Sequence, residues 1–284
     1  MSGAEPAADV LILAGAIFSI AMFLFAAGLG QASSAWARRL SAPAFALAMG
    51  LAAAWFSGHP WVGAIAAVAW LAFPLLQMAH GLLKVRVARR RELSPTLTYA
   101  AEFAELRDRS KEWEELRFEI IDDCELRPGE PSQVFRFLLS PDEGHLVTLG
   151  WISQGPWVLT YSAVSSWDGN GRHWMTWNYP LPYGLKTAPD VCLWRCMTAD
   201  TAEALLGAHL EYLRINDVAA VPRPHLAESD GARATWLAFI HRQLEHNLSV
   251  GWLHTVDGGK RVAYSLRGLL GAFSQFFKTL LETR

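Results

Sequence analysis

The run SSWDGNGRHWMTWNYPLP, residues 165–182, gathers three tryptophans, a histidine and a tyrosine around a short polar turn. Trp167, His173, Trp174, Trp177 and Tyr179 each combine an apolar ring with one polar edge, the chemistry of a platform for a ligand or a partner protein. The same residues also suit the core of a half-buried sheet. In a strand, Trp174 and Thr176 would face one way and His173, Met175, Trp177 and Tyr179 the other. A second cluster is cationic: Lys84, Arg86, Arg89, Arg90 and Arg91 directly follow a long apolar run. That density of charge suits contact with anionic lipid headgroups.

Other reactive residue types form no catalytic set. Asp122 and Asp123 are adjacent, so a strand would send them to opposite faces. Cys192 and Cys196 have three residues between them and no second pair, and with Cys124 they make neither a disulfide framework nor a zinc set. His241 and His246 are offset by about 140° around a helix, which prevents them from sharing a metal. There is no phosphate-cradling G-x-x-x-x-G-K-[ST] loop, no G-x-S-x-G elbow and no H-E-x-x-H pair. No catalytic residue, metal or cofactor is therefore expected.

The elements that carry these residues follow from charge and punctuation. No charged residue occurs from Val10 to Gly30 or from Leu40 to Leu83, and the second stretch is interrupted at Ser57-Gly58-His59-Pro60. This predicts three transmembrane helices near 10–30, 40–57 and 61–83, with residues 1–91 forming a membrane region that ends in a basic segment. Arg38 and Arg39 flank the first connection, the second has no cation, and five cations follow the third span. By the positive-inside bias, the amino terminus is expected outside and everything after Lys84 in the cytoplasm of a bacterial inner membrane.

The remainder predicts an α+β domain over 92–221 and a smaller module over 222–284. A helix at 99–116 places Phe103, Leu106, Trp113 and Leu116 on one side. Strands starting near 133, 145, 157 and 172, separated by SPDEG, SQGP and DGNG, predict an antiparallel β-meander. A helix follows at 198–215, capped by Thr198 or Asp200, with His209 on its apolar stripe as a hydrogen-bonded core residue. The last module reads as a helix over 231–249, a hairpin around Asp257-Gly258-Gly259-Lys260 and a closing helix from Leu266. This helix–hairpin–helix order is weakly winged-helix-like. Leu266, Leu269, Leu270, Phe273, Phe276, Phe277, Leu280 and Leu281 give the closing helix an apolar face that is expected to cover the domain.

The segment from Tyr161 to Pro189, with its DG turn, TWNYPLP and later APD, resembles a set of uncharacterised bacterial proteins that join membrane spans to a cytoplasmic module. The ending VAYSLRGLLGAF, 262–273, is similar to theirs. That family has no assigned activity, so the resemblance implies architecture and not chemistry.

Charge narrows the partners. The chain has 25 Lys and Arg against 27 Asp and Glu, but residues 92–229 hold eleven basic and twenty-one acidic side chains. Such a domain repels nucleic acid, and the expected partners are the lipid bilayer and another protein or membrane complex. The leading expectation is a non-catalytic anchor, adaptor or assembly factor. The alternative is a membrane-tethered regulator that binds DNA through the 222–284 module, and an enzyme with an unrecognised site comes third.

Overall fold

The computed structural model describes residues 5–31, 35–95, 104–127, 132–154, 157–180, 184–228 and 230–282. Phe103, Leu181 and Pro182 fall outside them, as do the side chains of Trp36, Arg38, Arg39, Leu280 and Leu281. Two compact units are present, Met1–Leu82 and Leu83–Arg284.

The first unit contains α1 (Glu5–Gln31), α2 (Ala35–Ser57) and α3 (Pro60–Lys84). The turn at 57–60 forms as its residues require. Gly58 takes φ +70, the left-handed conformation that ends a helix, and Pro60 opens α3 where its missing N–H costs nothing. Ser57 Oγ donates to Ala53 O at 2.6 Å. Gly50 and Gly63 let α2 and α3 touch, since a Cβ at Gly63 would stand 2.3 Å from Gly50 O. Large apolar side chains such as Phe18, Leu24, Phe56, Ile65, Phe73 and Leu76 point outward. Among the described residues two helices, Leu40–Ser57 and Pro60–Lys84, are long and apolar enough to cross a membrane, rather than the three expected. The described apolar part of α1, Gly15–Gln31, falls at the lower limit of a span's length.

The second unit contains β1 (Val87–Ala88), β2 (Glu92–Pro95), α4 (Ala104–Glu115), β3 (Glu119–Arg127), β4 (Ser132–Leu139), β5 (Leu146–Gln154), β6 (Trp157–Trp167), β7 (His173–Trp177), β8 (Val191–Arg195), α5 (Ala202–Ile215), α6 (Gly231–Ser249), β9 (Leu253–Val256), β10 (Arg261–Tyr264) and α7 (Leu266–Glu282). Strands β2 to β8 form one seven-stranded sheet in chain order. Its pairs are antiparallel except the last, where β8 runs parallel to β7. The meander expectation therefore holds up to β7 and fails at β8. A parallel neighbour needs a crossover rather than a hairpin, and residues 178–190 supply it.

Period-2 alternation divides the core into two layers. Phe135, Phe137, Leu146, Tyr161, Ala163, Met175 and Trp177 pack with Ala232, Trp236 and Phe239 of α6. Val134, Leu138, Val147, Leu149 and Val164 pack with Leu106 and Trp113 of α4 and with Ala202 and Leu205 of α5. Helices thus cover both faces, and the half-buried sheet read from the sequence is corrected. Asp122 and Asp123 do face opposite ways, and each meets an arginine: Asp122 pairs with Arg233 of α6 at 3.1 Å, and Asp123 pairs with Arg136 at 2.8 Å.

A second sheet, β1–β10–β9, is formed where Val87 pairs with Val262 and Ala88 with Arg261. The hairpin's third strand comes from the segment just after α3, and α6 packs Ala232, Trp236 and Phe239 into the core of the large sheet, so the winged-helix likeness gains no support. Helix α6 joins the sheets, with Leu244 packing on Leu253 and Val262. The expected boundary at 221/222 does not separate two modules, because Leu226, Ala232, Trp236 and Phe239 belong to the core of the large sheet. Asn247 fastens the crossover by accepting from Lys186 N and donating to Lys186 O, both at 2.8 Å. Helix α7 is tied to the same loop through Gln275, which accepts from Gly184 N and donates to Leu185 O, both at 2.9 Å. It buries Leu269 and Ala272 yet leaves Leu266, Leu270 and Phe277 exposed, so it covers the domain with only part of its apolar face.

Candidate functional site: a basic groove beside an apolar cavity

The aromatic run goes into the core and not onto a platform. Trp167, His173, Trp174 and Trp177 are each at most 6% exposed, and Tyr179 is partly buried. The reason is the double cover of β7. Trp174 meets Tyr212 of α5, with centroids 5.4 Å apart, while His173 stacks on Trp167 at 4.7 Å and meets Phe239 of α6. Arg223 lies over the other ring system of this stack, 5.0 Å from the Trp167 centroid. Burial pulls His173 down to about 3, assisted by the nearby Arg242 and Arg223 cations.

One buried polar chain has the residue types of a nucleophile and its base. His145 Nδ1 lies 2.6 Å from Ser166 Oγ, which is 2.9 Å from His209 Nε2, and His209 Nδ1 is 3.0 Å from Thr176 Oγ1. Ser166 and His209 are wholly buried, so no substrate reaches the hydroxyl. Burial holds both histidines below their ordinary value, His209 at about 3. The chain ties α5 to β6 and β7, as the apolar-stripe position of His209 leads one to expect. Replacing Ser166 by Ala leaves two imidazole nitrogens without that partner and is expected to lower stability by about 1–3 kcal/mol. Urea unfolding of the 83–284 unit measures it, and an unchanged midpoint would contradict this structural role.

The basic segment fares differently. Arg86, Arg89, Arg90 and Arg91 line a groove together with Lys260 and Arg261, whose hairpin is drawn alongside them by the β1–β10 pairing. Lys84 ends α3 and is not in the groove wall. Arg89 forms a two-pronged pair with Glu245, at 2.9 and 3.1 Å, which raises the arginine and lowers the carboxylate from their ordinary values. Arg261 is 3.9 Å from Asp257. Among the described residues, Arg86, Arg90 and Lys260 have no carboxylate partner. The groove therefore carries surplus positive charge, with Glu92 and Glu245 as the acidic lining residues among those described. Lys260 and Arg261 are legible in the sequence as cations at a hairpin tip, but nothing local brings them to the segment after Lys84.

Beside the groove lies a cavity of about 240 Å³ among α6, the large sheet and the small sheet. Gly150 shapes one wall. A Cβ there would stand 2.2 Å from the ring of Tyr161, its cross-strand partner, which lines the cavity. Arg91 lines both the groove and the cavity. Among the described residues no group of three or more His, Cys, Asp and Glu side chains is placed to hold a metal. Cys124 is buried with its thiol pushed up to about 12, and Cys192 and Cys196 are unpaired.

Comparison with known proteins found no matching family model, no matching curated protein and no matching solved structure.

Proposed function

We propose that this chain is a multi-pass bacterial inner-membrane protein, with spans near 10–30, 40–57 and 61–83, whose cytoplasmic α+β domain is a non-catalytic adaptor held against the anionic leaflet. The observation that carries this reading is the groove. Its first cation, Arg86, stands two residues beyond the end of α3, and Lys260 and Arg261 add charge from the far end of the chain. Clustered cations next to a span attract an anionic surface at about 1 kcal/mol each. The exposed apolar side chains of α2 and α3 support the membrane part. A protein, rather than nucleic acid, is the partner expected of the adaptor, since the rest of the domain is acidic.

Reporter fusions test the arrangement. A fusion after Arg91 or Arg284 should be active only as a cytoplasmic reporter, and one at His59 only as a periplasmic reporter. Periplasmic activity of the carboxy-terminal fusion would overturn the reading, because the groove would then face the wrong side.

A further inference from the structure

The cavity carries a pattern that packing alone does not explain. Most of its wall is apolar, including Phe135, Tyr161, Phe239, Leu244, Leu253 and Val262. Three buried donors share that wall without a hydrogen-bond partner: Arg91 Nε, Trp236 Nε1 and Gln243 Nε2. Trp236 and Gln243 are 4% and 2% exposed. The other end of the Gln243 amide is engaged, accepting from Ala188 N at 3.1 Å, so its NH₂ is turned away from that loop. A buried donor left unmade costs about 1–3 kcal/mol, and a buried charge costs more. Among the described residues no carboxylate pairs with Arg91, although burial disfavours its charged form. Arg91 is placed to hold a negative charge at the boundary between the apolar cavity and the basic groove.

We propose that this cavity binds one short single-chain carboxylate, its head on Arg91 with help from Gln243 and Trp236, and its chain in the apolar interior. A carboxylate can accept from more than one donor and is the planar acceptor an arginine fork matches best. Size selects the chain. A cavity of about 150 Å³ admits one benzene, so 240 Å³ suits one chain of roughly eight carbons and is too small to hold both chains of a phospholipid. The occupant is a free acid taken from solution or from the leaflet surface, and not an acyl chain still attached to a phospholipid. Failure of this site would leave anionic-vesicle binding through Lys260 and Arg261 untouched.

The test uses the full-length protein in phosphatidylcholine nanodiscs and an octanoic acid carrying a photoactivatable group at its chain end. Peptide mapping should place the label in residues 236–244 and 253–264. Arg91→Gln should reduce that labelling at least tenfold, and Ala263→Phe, which fills the cavity while keeping the cation, should reduce it comparably. In the unaltered protein, excess octanoate should compete and its uncharged methyl ester should not, which removes dependence on how the variants fold. Equal labelling of the Arg91→Gln protein, or equal competition by the ester, would overturn the proposal. So would labelling of these peptides by phosphatidylcholine bearing the same group on its acyl chain but not by the free acid, which would assign the cavity to bilayer lipid.

Discussion

Lowering the pH from 7 to 5 is expected to destabilise the 83–284 unit by about 4 kcal/mol, a large part of the stability of a typical domain. His173 and His209 carry this effect. Each titrates near 6.5 when exposed and near 3 in the fold, because burial disfavours the imidazolium. A depressed histidine pKa means the unfolded chain takes up the proton first. Stability is therefore full above about 6.5 and falls as the pH drops from there towards about 3, by about 2 kcal/mol per histidine at pH 5. Asp142, Asp168 and Asp190 are held below the ordinary carboxylate value, so their contribution is lost only at more acid pH. His173 offers a clean dissection, since neither ring nitrogen has a hydrogen-bond partner and the ring is stacked on Trp167. The His173→Phe protein should fold and lose about half as much stability between pH 7 and 5. Urea midpoints at the two pH values measure both effects, and identical midpoints for the unaltered unit would contradict the account of these histidines.

Replacing Trp174 or Trp177 by Ala should cost about 3–5 kcal/mol in either case, although the two rings lie on opposite faces of β7. Trp174 is enclosed by α5 through Tyr212, and its Nε1 donates to Asp168 Oδ2 at 3.3 Å. Trp177 is enclosed on the other face with Tyr161 and Tyr179, at 6.2 and 5.3 Å. A half-buried strand would instead give one large loss and one small one. Urea unfolding of the two variants separates the cases, and a negligible loss at either position would show that one face of the sheet is open.

These two rings also show how much a linear pattern can reveal. Alternation along β6 and β7 assigns Tyr161, Ala163 and Trp167 to one layer and Trp174 and Thr176 to the other, and the packing agrees. It does not say that both layers are covered, because cover comes from α5 and α6, whose own sequences do not name the face they meet. The turn at Gly58 and Pro60, the helix at 231–249 and the hairpin at 257–260 are legible because glycine and proline act locally. The start of α5 is less so: Thr201, and neither Thr198 nor Asp200, caps it by accepting from Ala204 N at 3.2 Å. Strand β8 is hidden because its parallel partner is reached by a crossover and leaves no hairpin signal. The groove is hidden for the same reason. Arg90 and Lys260 become neighbours only through the two-residue strand β1, too short to leave a period.

Sedimentation of the 83–284 unit with vesicles tests directly whether the groove binds an anionic membrane surface. Vesicles of phosphatidylcholine with phosphatidylglycerol should bind the unit, pure phosphatidylcholine should not, and binding should weaken steeply as salt is raised. Lys260→Ala with Arg261→Ala removes two cations remote in sequence from α3 and should weaken binding about thirtyfold, from about 1 kcal/mol per charge. Equal binding to the two vesicle types, or an unchanged affinity in the double variant, would contradict the proposal that Lys260 and Arg261 share one lipid-facing surface with the cations that follow α3.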